Sequence, residues 1–201
     1  DVVSQFQDRI GELEMPEDMT VSYGGETEDI NRSFTEMFLA LVAGLVLMLA
    51  ILVLSFNSVR YSLYLLLAVP LSLIGVLSGL AITGQPISFT SLLGVVALAG
   101  VIINHAIILM DSMLHFKKRE ADLPLDEVIV DAAVSRLRPI FLTTITTVVG
   151  MIPLANISDF WSPLAFAIMF GLSFAMILTL VLVPTLYYRR EKKLLDRATQ
   201  N

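Results

Sequence analysis

The sequence contains no cysteine, which excludes a disulfide framework and any thiolate metal site. It holds only two histidines, His105 and His115, too few for an imidazole metal centre, so no metal or other cofactor is expected. No GxSxG, HExxH or P-loop pattern is present, and no nucleophile stands near a base. An enzyme, whether an intramembrane protease or an ATPase, therefore has no residue support. Charge is also scarce. Only 16% of residues are Asp, Glu, Lys or Arg, against roughly 25% in a soluble domain. What fills the space is apolar: 56% of the 201 residues, against about 45–50% in soluble domains. This is the composition of an integral membrane protein.

The net charge of −6 conceals a segregation. Ten of the 19 acidic residues precede residue 37, whereas only Arg9 and Arg32 of the 13 basic residues do. The acidic balance belongs to a polar N-terminal segment and argues against nucleic acid as a partner. Within that segment, residues 1–13 place Val2, Val3, Phe6, Ile10 and Leu13 at helical spacing. Residues 19–23 alternate as a strand would, and Gly24-Gly25 ends them. So short an α+β segment cannot bury a core of its own. It is expected to be the end of an extracytoplasmic domain (1–33) in a longer protein, since the chain starts at Asp1 without a leader pattern.

Residues 37–59 carry no charge, and neither do 61–110, 139–158 and 160–188. A spanning helix needs about 20 apolar residues. The expected architecture is an all-α membrane bundle of five transmembrane helices, at about 34–57, 61–83, 88–112, 139–157 and 161–188. Thr83-Gly84-Gln85-Pro86 separates the second from the third. Between the third and fourth, Leu125, Val128, Ile129, Ala132 and Ala133 form a one-sided stripe, read as an interfacial helix at about 124–136. Residues 191–201 form a polar tail. Trp161 and Tyr187-Tyr188 stand where an interfacial aromatic belt is expected. Lys and Arg concentrate at residue 60, in 117–138 and after 188, and none lies at 84–87 or 155–160. The charge bias then places the N-terminus outside and the C-terminus in the cytoplasm.

Two clusters are candidates for chemistry. Asn104 and His105 lie inside the third span, where polar side chains are costly and mark either a polar pathway or a helix contact. Ala97, Gly100, Asn104 and Asp111 share one helical face and make a small, polar-tolerant seam. Arg136, Arg138 and Pro139 stand at the start of the fourth span, with Thr143 and Thr147 one turn apart behind them. Each cluster has a plain alternative. Asn104 serves as interhelical glue, the threonines bond their own i−4 carbonyls, and the Arg pair anchors the helix end. Gly75, Gly79, Gly94, Gly100 and Gly150 read as helix-packing positions, Gly75 and Gly79 in a GxxxG spacing.

Five ordered segments carry a family resemblance: Ala68-Val69-Pro70-Leu71-Ser72-Leu73-Ile74-Gly75, Gly94 through Asp111, Arg136-Leu137-Arg138-Pro139-Ile140 with Thr143-Thr144, Gly150-Met151-Ile152-Pro153-Leu154-Ala155, and Val183-Pro184-Thr185-Leu186-Tyr187. Over essentially its whole length the chain resembles the second half of a resistance-nodulation-division (RND) efflux permease of the hydrophobe/amphiphile exporter type, its spans being similar to helices 8–12. The resemblance implies proton antiport across a cytoplasmic (inner) membrane. It implies a relay that joins two Asp of the fourth helix to positions falling here on Asn104, Arg136 and Thr143, with His105 beside them. The family's lysine is replaced by Asn104, so a relay here would work through hydrogen bonds. The implied partners are the N-terminal half of the same permease, two further copies in a homotrimer, a periplasmic adaptor, an outer-membrane channel and the lipid bilayer. On this reading the isolated segment transports nothing. Two other jobs stay open for the same fold: an accessory of protein or lipid translocation, and a non-transporting membrane scaffold.

Overall fold

The computed structural model describes the backbone of residues 26–119 and 123–199, and the side chains of 32–119 and 123–194. The chain divides into residues 1–33 and 34–201. In the first unit only the opening turns of α1 are described. The helix expected over 1–13 and the strand over 19–23 lie outside the described residues, and the described residues contain no strand. The described structure is thus all helical: α1 (Glu26–Phe56), α2 (Val59–Leu66), α3 (Ala68–Thr83), α4 (Phe89–Arg119), α5 (Leu125–Ile157) and α6 (Ser162–Thr199). They form five helical spans long and apolar enough to cross a membrane, α2 and α3 together making one.

Proline explains the break in that span. Pro70 has no N–H to give the carbonyl four residues back, and its ring crowds that carbonyl. The carbonyl belongs to Leu66, and the helix breaks at Leu67. The Leu67 amide still donates to Leu63 (3.0 Å) and the Leu71 amide to Leu67 (3.4 Å), so the two segments continue as one column. At the far end Gly84 takes φ 67°, the left-handed conformation that suits glycine, and the Gln85 amide reaches back to Leu80 O at 2.9 Å. Four residues on, Ser88 and Ser91 bond each other's amides with their hydroxyls (2.9 and 3.3 Å), which starts α4.

Charge marks the end of an apolar stretch, not of a helix. α4 runs on to Arg119 and α6 to Thr199, beyond the ends expected near 112 and 188. Lys117, Lys118 and Arg119 occupy the last turn of α4, where cations complement the helix dipole. Residues 124–157 also differ from expectation. The interfacial helix and the fourth span are one 33-residue helix with Pro139 and Pro153 inside it. At 1.5 Å per residue α5 is about 50 Å long, well beyond the ~30 Å hydrocarbon core. One helix can therefore supply both the amphipathic first part, with Val128, Ile129 and Ala132 buried, and the apolar span.

α6 is the centre of the unit, packing against α3, α4 and α5. Its Ala165, Ala167, Leu172, Ala175, Val183 and Tyr187 are buried. Lipid tails are as apolar as leucine, so helices in a bilayer associate through close packing of small residues instead. The contacts here are of that kind. A Cβ on Gly75 would fall 2.4 Å from Phe174 Cβ, and one on Gly79 would fall 2.2 Å from Phe170 Cβ. One on Gly94 would meet Ala167 Cβ at 3.0 Å, and one on Gly171 would meet Leu98 Cδ2 at 2.3 Å. Gly100 and Gly150 differ: nothing lies within 4 Å of a Cβ there, so among the described residues they pack no helix. α1 stands at the edge, burying Met37 and Leu52 while Phe38, Leu39, Leu47 and Leu54 face outward. In a bilayer that face is solvated by lipid.

At the basic end three helix ends are tied together. The buried Glu191 carboxylate accepts from Tyr61 Oη and pairs with Lys117 Nζ, joining α6 to α2 and α4. The Arg190 guanidinium lies 3.6 Å over the Tyr61 ring and donates to Ser58 Oγ at 3.1 Å. Tyr187 stacks obliquely on Tyr61, with centroids 5.6 Å apart, and is wholly buried. It belongs to this clasp, not to an aromatic belt.

Gly79→Ala is expected to destabilise the folded protein by about 1–3 kcal/mol through overpacking on Phe170. Adding Phe170→Leu should restore part of the loss. Thermal unfolding of the purified full-length protein in detergent measures both. Full stability in Gly79→Ala would contradict the close approach.

Candidate functional site

The site is set by how α6 orients α4. Leu98, Ala99, Ile102, Ile103 and Ala106 are buried. The opposite face carries Ala97, Gly100, Asn104 and Asp111, all exposed. Asn104 therefore points out of the five-span unit. Among the described residues no helix covers the seam on which it lies, so a helix against it, as the sequence pattern implied, would have to come from elsewhere.

One residue further is about 100° around the helix. His105 is accordingly turned inward, 6% exposed, and its Nε2 lies 3.2 Å from Thr143 Oγ1 on α5. The Thr143 hydroxyl has one hydrogen and two carbonyls in reach on its own helix, Pro139 O at 3.1 Å and Ile140 O at 2.9 Å. When that hydrogen is given to the backbone, His105 Nε2–H donates to Thr143. When Nε2 is unprotonated, the hydroxyl can donate to it instead. A threonine able to take either role, next to an imidazole, is a place where a proton position can change without a side chain moving.

The other threonines are local. Thr146 Oγ1 donates to Leu142 O or Thr143 O (3.0 Å each), and Thr147 Oγ1 to Thr143 O at 2.9 Å. Thr144 is buried, and its Oγ1 has no partner among the described residues. Arg136 is half-buried with a buried Nε that likewise has none. Arg136, Thr143 and Gly150 are spaced seven apart and so share one face of α5. Thr143 and Gly150 are exposed along it, giving a second open stripe beside the Asn104 face. Of the four residues picked out from sequence, the structure brings His105 and Thr143 together. Among the described residues no hydrogen bond joins Asn104 or Arg136 to them. Nor does any group of three His, Asp or Glu side chains there converge as metal ligands would.

The clasp at the basic end was not anticipated from sequence. Arg190 and Glu191 follow a long apolar run, and such residues are ordinarily solvated anchors. Only the pairing of residues 61, 117 and 191, far apart in the chain, shows otherwise.

The sequence profile of the AcrB/AcrD/AcrF family matches residues 1–190. The chain belongs to that family. It is a segment of an RND permease, and it covers less than a fifth of the relatives it resembles. The swarming motility protein SwrC of Bacillus subtilis is 32% identical over 191 residues, 92% of this chain and 18% of that protein. The cobalt-zinc-cadmium resistance protein CzcA of Cupriavidus metallidurans is 26% identical over 90% of this chain and 17% of its own length. The multidrug resistance protein MdtC of Proteus mirabilis is 27% identical over 93% of this chain and 18% of its own. Among solved structures, a heavy metal efflux pump superposes with a TM-score of 0.76 at 32% identity, covering 94% of this RND segment and 19% of that chain. The five-span order found here is therefore that of an RND membrane domain.

Thr143→Val leaves the His105 imidazole without its cross-helix partner. The expected loss is about 1–3 kcal/mol of stability in the full-length permease, with Thr143→Ser close to wild type. Unfolding midpoints of the two variants decide it. Equal behaviour of Val and Ser would mean that the contact contributes nothing.

Proposed function

We propose that this chain is the C-terminal membrane half of a proton-driven efflux permease that exports amphiphilic compounds by proton antiport. It would be inert without the N-terminal half. The observation that carries the reading is the open seam on α4 and α5. Asn104 lies exposed at membrane depth beside the His105–Thr143 bond. Polar groups at that depth face a bundle interior or a polar cavity, not lipid. The N-terminal half is the partner whose helices would cover the seam and supply the acidic proton carriers. Asn104, His105, Thr143 and Arg136 would then form this half's side of the relay, handing a proton through hydrogen bonds where the family places a lysine. The Arg136 Nε, without a partner among the described residues, is a donor available to that pathway.

The basic helix ends set the orientation in this reading. Lys117, Lys118, Arg119, Arg189, Arg190, Lys192 and Lys193 lie on the cytoplasmic side of an inner membrane, and the N-terminus is extracytoplasmic. The assembled pump would be a homotrimer docked to a periplasmic adaptor and an outer-membrane channel. A second substrate class, metal cations, draws support from CzcA and from the heavy metal efflux pump, both named for metals.

Efflux of a fluorescent amphiphile and of zinc or cobalt, each measured with and without a protonophore in a pump-deficient host expressing the full-length protein, separates the two. Loss of dye export on collapse of the gradient supports the proposal. Metal export alone supports the second reading, and export of neither overturns both. Arg136→Ala is expected to abolish proton-coupled export while the protein still inserts in the membrane; wild-type export would remove Arg136 from the relay. Asn104→Leu should lower transport at least tenfold with little change in unfolding temperature, whereas equal loss of both would make Asn104 a packing residue. His105→Asn should alter the pH dependence of export, and an unchanged profile at every pH would exclude His105 as a titrating group.

A further inference from the structure

The first turn of α2 and the last turns of α6 enclose a cavity of about 380 Å³ lined by Arg60, Tyr64, Arg189, Arg190, Lys193 and Leu194. Four of its six lining residues are cations. Among the described residues no carboxylate pairs with Arg60, Arg189 or Lys193. The nearby acid on α6, Glu191, is already engaged by Tyr61 and Lys117 and is buried. Arg190 is held in place before any ligand arrives, its Cζ over the Tyr61 ring and one Nη on Ser58 Oγ. Like charges gathered without a counter-charge among the described residues favour an anion, and planar guanidinium groups match phosphate oxygens in pairs.

Depth gives the class of anion. Arg189 is 27 residues from the start of α6, about 40 Å along the helix, and the bilayer including its headgroups is about 40–45 Å thick. The cavity is thus at headgroup level. Below it, Leu63 and Leu67 of the same span are exposed where acyl chains would lie, and Leu194 stands at its rim. Basic pockets between membrane helices suit phosphorylated headgroups. We propose that this cavity is a phosphate-binding site for the headgroup of an anionic phospholipid, seated between α2 and α6 on the outer surface of the clasp. The site is separate from the Asn104 seam and does not depend on the transport reading.

The test is native mass spectrometry of delipidated full-length permease titrated with phosphatidylglycerol and, separately, with phosphatidylcholine. Wild type should retain phosphatidylglycerol selectively. The triple variant Arg60→Gln/Arg189→Gln/Lys193→Gln should bind it on the order of 100-fold more weakly, about fivefold for each cation removed. The charge-matched variant Lys118→Gln/Arg119→Gln/Arg138→Gln, changed at basic positions outside the cavity, should lose less than about threefold. Displacement by inorganic phosphate at comparable concentration would support the phosphate site with free phosphate as its source; indifference to it would support the lipid. Equal loss in both triple variants, or equal retention of the two lipids by wild type, would overturn the proposal. The wild-type comparison of lipids stands even if a triple variant fails to fold.

Discussion

Close approach of α6 to its neighbours is the constraint on which the rest of the structure depends. Gly75 and Gly79 bring the backbone of α3 against Phe174 and Phe170, and Gly171 lets Leu98 and Val76 lie against α6 itself. No other force could fix the helices so definitely. Apolar side chains gain little by leaving lipid for one another, so dispersion contacts and interhelical hydrogen bonds must hold the unit. Once Leu98, Ile102 and Ala106 are committed to the buried side, helical geometry leaves no freedom for the residues between them. Asn104 must face out, and His105 must face α5.

The seam that results has an unusual character for a lipid-exposed surface. Ala97, Gly100 and Asn104 on α4, with Thr143, Thr146 and Gly150 on α5, are small or polar. Elsewhere the outward surface is large and apolar, as at Phe38, Leu54, Ile82 and Val181. Lipid would solvate the second kind of surface well and the first kind poorly. In the proposed reading, the difference separates faces meant for lipid from a face meant for helices of another part of the permease. Gly100 and Gly150, without a contact among the described residues, would on that reading be small residues on a face still to be covered.

Much of this was legible in the sequence, because membrane physics writes itself in long runs. Uncharged stretches located all five spans, and Gly84-Gln85-Pro86 located the turn between α3 and α4. Boundaries were less legible, since a helix continues into water through Lys117 or Glu191 without changing its backbone. Pro139 misled for a related reason. Proline suits the first turn of a helix, yet one missing hydrogen bond does not stop a helix long enough to carry it. In the site, spacing gave the shared face of Asn104 and Asp111 but could not say whether that face was covered. The His105–Thr143 bond joins residues 38 apart and depends on how two helices lie side by side, which no single-helix pattern encodes.

The identity of residue 104 also bears on how the work is divided between the two halves in the proposed reading. Between residues 61 and 110 there is no fixed charge. A lysine or aspartate at the centre of a span costs roughly 2.5–3.5 kcal/mol on insertion, and an amide, uncharged, costs less. With Asn104 in place, this half can enter the bilayer and wait for its partner without an unpaired charge at mid-depth. The same economy has a consequence for coupling. A lysine can answer protonation of an aspartate by swinging its charge, whereas Asn104 can only exchange hydrogen bonds. Any response to a carrier across the seam must then pass to a group that can change its protonation or its donor, and among the described residues the pair adjoining Asn104 that can do so is His105 with Thr143.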